Sequence, residues 1–138
     1  MKVNDIAQGL IGASVPRKED AALLSGGARF IDDLSPVPGI RHVAILRSPH
    51  PHARIVNIDV SRAMELPGVA GVVTGAQIAD AIKPIPSAVH APIEYYPMAV
   101  DVARYAGEPV ALVAASDRYV AEDALELIDI TYEALPPA

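Results

Sequence analysis

Cysteine and tryptophan are absent from this 138-residue chain, and phenylalanine occurs once. Without a thiol the chain forms no disulfide, offers no thiolate nucleophile and holds no iron–sulfur cluster through its own side chains. Basic residues are scarce too: 11 Lys and Arg against 17 Asp and Glu leave a net charge of −6. Nucleic acid and anionic membranes are bound through clustered cations, so both are disfavoured as partners. No apolar run reaches the roughly 20 residues that a membrane-crossing helix needs. The start, Met1-Lys-Val-Asn-Asp-Ile6, lacks the long apolar stretch of a secretory signal. The cytoplasm is the expected compartment.

Hydrophobic residues make up 51% of the chain and charged residues 20%, the balance of a folded globular protein rather than a disordered one. A chain of this length buries about two-thirds of its unfolded surface, enough for an independent core. Thirteen prolines break up helices and central strands, so the elements must be short and joined by stiff turns. With so few large aromatics, the core is expected to consist of Ala, Val, Ile and Leu. The five Tyr are its expected aromatic filler.

The expected organisation is a loose arm over residues 1–14 followed by a single domain over residues 15–138. Glu19–Leu24 reads as a turn or two of helix ended by Ser25-Gly-Gly27. Arg29–Leu34 reads as extended, and Ser35–Gly39 as a tight turn. His42–Arg47, Ile55–Asp59 and Val69–Thr74 read as strands. A short helix capped by Asp59 or Ser61 lies between the last two. Thr74 and Gln77 form a capping box over Ala76–Ile82. Lys83–Pro97 is irregular, with four prolines. Val110–Ala115 reads as a buried strand, Arg118–Glu126 as a helix capped by Ser116 or Asp117, and Asp129–Glu133 as the closing strand. Strand, helix and strand in that order predict a β-α-β unit with parallel strands.

The chemistry-bearing residues are concentrated in Arg47-Ser-Pro-His-Pro-His-Ala-Arg54. His50 and His52 lie two apart on an extended backbone, a spacing that shares a face, and His42 and His90 are the other imidazoles. Zinc requires three or four converging ligands, and no Cys and no second tight His pair is present. The plainer reading is that these imidazoles bond backbone carbonyls in a proline-stiffened turn. Arg47 and Arg54 could bind an anion; pairing with carboxylates at a surface or a subunit contact is the commoner use. Glu108, in Gly107-Glu-Pro109, could act as a base, or be satisfied by Arg104 or by backbone amides. Glu122 and Asp123 are adjacent on a helix and point apart, which marks a solvated face. No Ser/His/Asp arrangement and no phosphate-binding glycine loop is present. Residue chemistry alone yields no active site.

Nine strings, in order, resemble the start of the large subunit of molybdenum hydroxylases, the xanthine dehydrogenase, aldehyde oxidase and carbon monoxide dehydrogenase family. They are Gly12-Ala-Ser-Val-Pro-Arg-Lys-Glu-Asp20, Leu23-Leu-Ser-Gly26, Arg29-Phe-Ile-Asp-Asp33, Leu46-Arg-Ser-Pro-His50, His52-Ala-Arg-Ile55, Leu66-Pro-Gly-Val69, Val73-Thr-Gly75, Arg104-Tyr-Ala-Gly-Glu-Pro-Val-Ala111, and Ala121-Glu-Asp-Ala124 with Ile130-Thr-Tyr-Glu133. No single string is decisive; their order and gaps carry the likeness.

The resemblance implies an α/β hammerhead module with a swivelling β/α/β core, short strands and a few short helices. It implies a role in molybdenum-dependent hydroxylation or dehydrogenation. It places the molybdopterin contacts and the catalytic glutamate downstream of this segment, and the 2Fe–2S clusters and FAD on other domains or subunits. The chain itself is therefore expected to be non-catalytic and to bind none of these cofactors. Its expected partners are the molybdenum-binding remainder of the large subunit and the iron–sulfur and flavin subunits. It would serve as the first piece of a divided subunit or as part of a longer one. Arg47, His50, His52, Arg54 and Glu108 are the candidate interface residues. Two rival readings are a free-standing small-molecule binding protein of this fold, and a metal enzyme using His42, His50, His52 and His90.

Overall fold

Alternation of small apolar residues builds the framework of the protein, a pair of three-stranded antiparallel sheets. The computed structural model describes residues 11–33, 37–86 and 94–136. The chain divides into two compact units, Met1–Pro38 and Gly39–Ala138. In the first, α1 spans Asp20–Leu24 and buries none of its residues. Gly26, at φ +71°, turns the chain after it. Ile31–Asp33 is a short 3-10 turn instead of the extended piece expected there. The Asp33 carboxylate accepts the Phe30 N–H at 2.9 Å and closes the turn, a local bond that competes with extension.

The second unit holds β1 (His42–Arg47), β2 (Ala53–Asp59), α2 (Ser61–Glu65), β3 (Val69–Thr74), α3 (Gly75–Ala81), β4 (Val102–Ala103), β5 (Pro109–Ala115), α4 (Arg118–Leu125) and β6 (Asp129–Ala134). One sheet has the order β1-β5-β3 and the other β4-β2-β6. The parallel β-α-β unit expected for the last third is not formed. β5 already has β1 and β3 as neighbours, so the chain leaving α4 joins the other sheet and pairs antiparallel with β2. The other expected features of a mixed α/β fold, short strands and a few short helices, are present.

The main core lies on one face of the first sheet, where Val72, Ala111 and Val113 meet Ala63 of α2 and Ala124 of α4. Val110 and Val113 are the largest fully buried side chains, so close packing of small residues replaces aromatic bulk. Tyr does not fill this core: Tyr95, Tyr105 and Tyr119 are exposed, and Tyr96 and Tyr132 are half-buried. Gly75 is buried where α3 meets the segment after the irregular loop, and a Cβ there would lie 1.8 Å from the Ala99 carbonyl oxygen.

Capping follows sequence chemistry at α3 and α4 but not at α2, whose N-cap is Val60 without a side-chain cap, Asp59 accepting the Ser61 N–H instead. Thr74 and Gln77 form the expected box on α3, with the Thr74 N–H donating to Gln77 Oε1 at 2.9 Å. The Asp117 carboxylate accepts the Val120 N–H at 3.0 Å and starts α4. Part of the irregular Lys83–Pro97 stretch, residues 87–93, falls outside the described residues. Its flanks are joined by an antiparallel bridge between Ile85 and Tyr95. Among the described residues no helix is long and apolar enough to cross a membrane.

Candidate functional site

The fold gathers all five candidate residues at one end of the second unit. Arg47 ends β1, His50 and His52 lie in the β1–β2 loop, Arg54 opens β2, and Glu108 precedes β5. Two backbone hydrogen bonds staple the loop to the turn before β5. Ser48 N–H donates to the Glu108 carbonyl at 2.9 Å, and Gly107 N–H donates to the Ser48 carbonyl at 2.8 Å. Gly107 adopts φ +92°, a conformation that glycine takes without a Cβ penalty. The Arg47 guanidinium reinforces the staple by donating to the Gly107 carbonyl at 2.9 Å.

Inside the loop the Ser48 hydroxyl, almost fully buried, closes a small turn. It accepts the His50 N–H and donates to the His50 carbonyl, both at 3.1 Å. Pro49 and Pro51 restrict the same stretch by fixing φ. The His50 ring meets Tyr132 of β6 edge-on, with centroids 4.8 Å apart and an interplanar angle of 60°. That is a favoured geometry for two aromatic rings. Burial pushes the Tyr132 hydroxyl above its ordinary pKa, and a hydrogen bond with Ser48 opposes the shift.

His52 completes the clasp: its Nδ1 bonds the Pro136 carbonyl, and its own carbonyl accepts the Leu135 N–H at 3.0 Å. A ring nitrogen facing a carbonyl must carry the proton, so this contact fixes the tautomer. Arg54 pairs with Glu133 directly across β2 and β6 at 3.6 Å, with both side chains more than half exposed. The Glu108 carboxylate is buried and accepts the Arg104 N–H, closing the Arg104–Glu108 turn.

Of the two readings left open for Glu108, the structure therefore favours satisfaction by a backbone amide. The Arg104 guanidinium instead donates to the Val102 carbonyl at 3.1 Å. Arg54 does pair with a carboxylate, whereas Arg47 bonds a carbonyl. The sequence reading missed Ser48 and Tyr132. Their signals were a serine set between two loop candidates and a tyrosine at an alternating strand position.

Beside Glu108 lies an open cleft of about 360 Å³, lined by Glu94, Tyr95, Asp101 and Arg104 among others. Among the described residues no group of three His, Asp or Glu is placed to hold a metal ion. His42 stands exposed on β1, while His50 and His52 are held by Tyr132 and Pro136. His90 lies outside the described residues. The described donors at this end do not fit a metal or a molybdenum cofactor, because no three of them converge on one point and the Glu108 carboxylate is bonded to its own chain. What they build is a stiff surface, with cationic Arg47 and Arg54 on its rim.

The profile of the aldehyde oxidase and xanthine dehydrogenase a/b hammerhead domain matches residues 25–136. The nicotine 6-hydroxylase large subunit of Paenarthrobacter nicotinovorans is 41% identical, over 94% of this chain and 16% of its own. The carbon monoxide dehydrogenase large chain of Afipia carboxidovorans is 37% identical, over 91% of this chain and 15% of its own. Among solved structures, quinoline 2-oxidoreductase from Pseudomonas putida 86 superposes with a TM-score of 0.81 at 46% identity, covering 91% of this chain and 16% of that one. The chain thus spans about one-sixth of the length of the relatives it matches. Two sheets and four short helices among the described residues, with a match across most of the chain, lead to one conclusion: this chain belongs to the aldehyde oxidase and xanthine dehydrogenase family, through its hammerhead domain.

Proposed function

We propose that the chain is a non-catalytic module of the large subunit of a molybdenum-dependent oxidoreductase. It assembles with the molybdenum-binding remainder and shapes the entrance to the active site. One observation carries the reading: nearly the whole chain corresponds to a small portion of relatives about six times as long, which are named as hydroxylase and dehydrogenase large chains. The internally bonded β1–β2 loop supports it, since a pre-ordered loop loses little entropy on docking.

The Arg47–Arg54 loop and the Lys83–Pro97 loop are the proposed contact surfaces. Arg47, His50, His52, Arg54 and Glu108 either touch the partner or hold the loop that does. The molybdopterin-type cofactor, the 2Fe–2S clusters and FAD belong, on this reading, to other chains of a cytoplasmic assembly. The test is co-expression of the tagged chain with the large-subunit remainder from the same source. A molybdenum-containing complex is expected. Recovery of the chain alone, as a stable monomer, overturns the reading.

The cleft beside Glu108 favours a second reading, a free-standing binder of small molecules. A ligand at 100 times its dissociation constant stabilises by about 2.7 kcal/mol. A metabolite panel that produces no thermal shift removes this alternative.

A further inference from the structure

The outer faces of the two sheets differ in kind. On the β4-β2-β6 sheet the outward pairs are Arg54 with Glu133, Asn57 with Thr131, and Asp59 with Asp129, all exposed and polar, with apolar Val56 also exposed at the bulge between Ile55 and Asn57. That is the pattern of an antiparallel sheet with one face in water. The β1-β5-β3 sheet lacks that pattern. Its inner face, with Val72, Ala111 and Val113, packs on α2 and α4. On its outer face two cross-strand rows lie side by side: Val43, Ala114 and Gly71, then Ile45, Leu112 and Val73. Every member is apolar. Val43 is 58% exposed and Ile45 42%, and a Cβ added at Gly71 would meet nothing within 4 Å. A contiguous apolar surface of this kind marks a contact site rather than a solvated face.

We infer that this outer face is the seat of the large-subunit polypeptide that continues beyond the module, which would lay apolar side chains across both rows. The inference rests on the assembly reading above. Two observations select this occupant over a second copy of the chain. In three of the relatives this portion is only 15–17% of the length, so a much larger polypeptide is tethered to the module in each. Tethering gives that polypeptide a high effective concentration at any face within reach. The end of β6 also lies near an edge of that face. The bond from Leu135 to the His52 carbonyl holds the chain beside the β1–β2 loop as it leaves β6. That loop follows directly from Arg47, the end of β1, and β1 is an edge strand of the apolar face.

The experiment uses the tagged 138-residue chain, co-expressed with the large-subunit remainder from the same source. Ile45→Lys and Val73→Lys are each expected to lower recovery of the complex by about tenfold or more, because each sets an unpaired ammonium against apolar surface. Asn57→Lys, on the polar sheet, is expected to leave recovery unchanged. Should a lysine variant fail to fold on its own, the double variant Val43→Thr/Ile45→Thr keeps β-branching and asks the same question. Wild-type recovery in the apolar-face variants overturns the inference and leaves the assembly reading standing. So does a dimer of the isolated chain that these variants dissolve, since the second copy is then the occupant. Failure of the wild-type chain to form the complex removes the assembly reading, and this inference with it.

Discussion

Replacing Glu108 separates a structural carboxylate from a catalytic one. Its side chain is 5% exposed and accepts the Arg104 N–H. The same turn donates the Gly107 N–H to Ser48 and receives the Arg47 guanidinium. Glu108→Ala deletes the acceptor and strands that amide. A partly buried amide left without a partner costs about 1–3 kcal/mol. The loop staple is expected to loosen with it, because both of its backbone bonds run through residues 107 and 108. Taking about 2 kcal/mol and a urea slope of about 2 kcal/mol per molar, the unfolding midpoint falls by about 1 M. Glu108→Gln keeps an acceptor oxygen and loses only the charge assistance, so its midpoint falls by about half as much or less. Equilibrium urea unfolding followed by circular dichroism reads both. The reasoning is refuted if Glu108→Ala stays within about 0.5 kcal/mol of wild type, the range of an ordinary surface change. It is equally refuted if Glu108→Gln falls as far as Glu108→Ala, because the charge would then matter more than the acceptor.

Gly75→Ala drives a Cβ into the Ala99 carbonyl oxygen and carbon, which are backbone atoms and cannot rotate away. A loss of about 3 kcal/mol or more is expected in thermal unfolding, at the upper end of overpacking costs. Asp59 accepts the Ser61 N–H at 2.9 Å, and its carboxyl lies below the usual pKa, first through the Ser61 hydroxyl and then through that amide. A lowered folded pKa gives stability that is present above the unfolded value and lost as pH falls through the folded one. Asp59→Asn is therefore expected to be less stable than wild type near neutrality. Melts run down the acid limb should show that gap closing below the ordinary carboxylate range. Arg54→Ala breaks an exposed pair and is expected to cost under about 1 kcal/mol, less in high salt. A larger loss in a denaturation series would mean that the Arg54 stem packs on β2 or β6.

Elements set by local chemistry were legible in the sequence. β1 and β3 lie where their apolar runs place them, and α3 and α4 begin at the Thr74 box and the Asp117 cap. β2 starts two residues earlier than its apolar run suggests, because Ala53 pairs with both Ala103 and Ala134. What failed to show was whatever depends on distant partners. Spacing gives the order strand, helix, strand, yet it does not say which sheet accepts the second strand. The parallel unit was therefore misread. Aromatic scarcity suggested Tyr as filler, but the cluster between α2, α4 and the first sheet is made of Ala, Val, Ile and Leu.

The candidate loop shows the same division. Its residues were conspicuous, while their partners were invisible: His52 bonds Pro136, 84 positions away, and Arg47 bonds Gly107, 60 positions away. Those long-range bonds fix the loop. The Glu108 carboxylate is directed at the backbone of its own chain, and the His52 Nδ1–H is too, which orients the ring. Three segments, residues 47–54, 104–108 and 132–136, are thereby tied into one rigid corner. A substitution in any one of them should move the other two. The coupling within this corner is measurable as non-additivity between Glu108→Ala and His52→Ala.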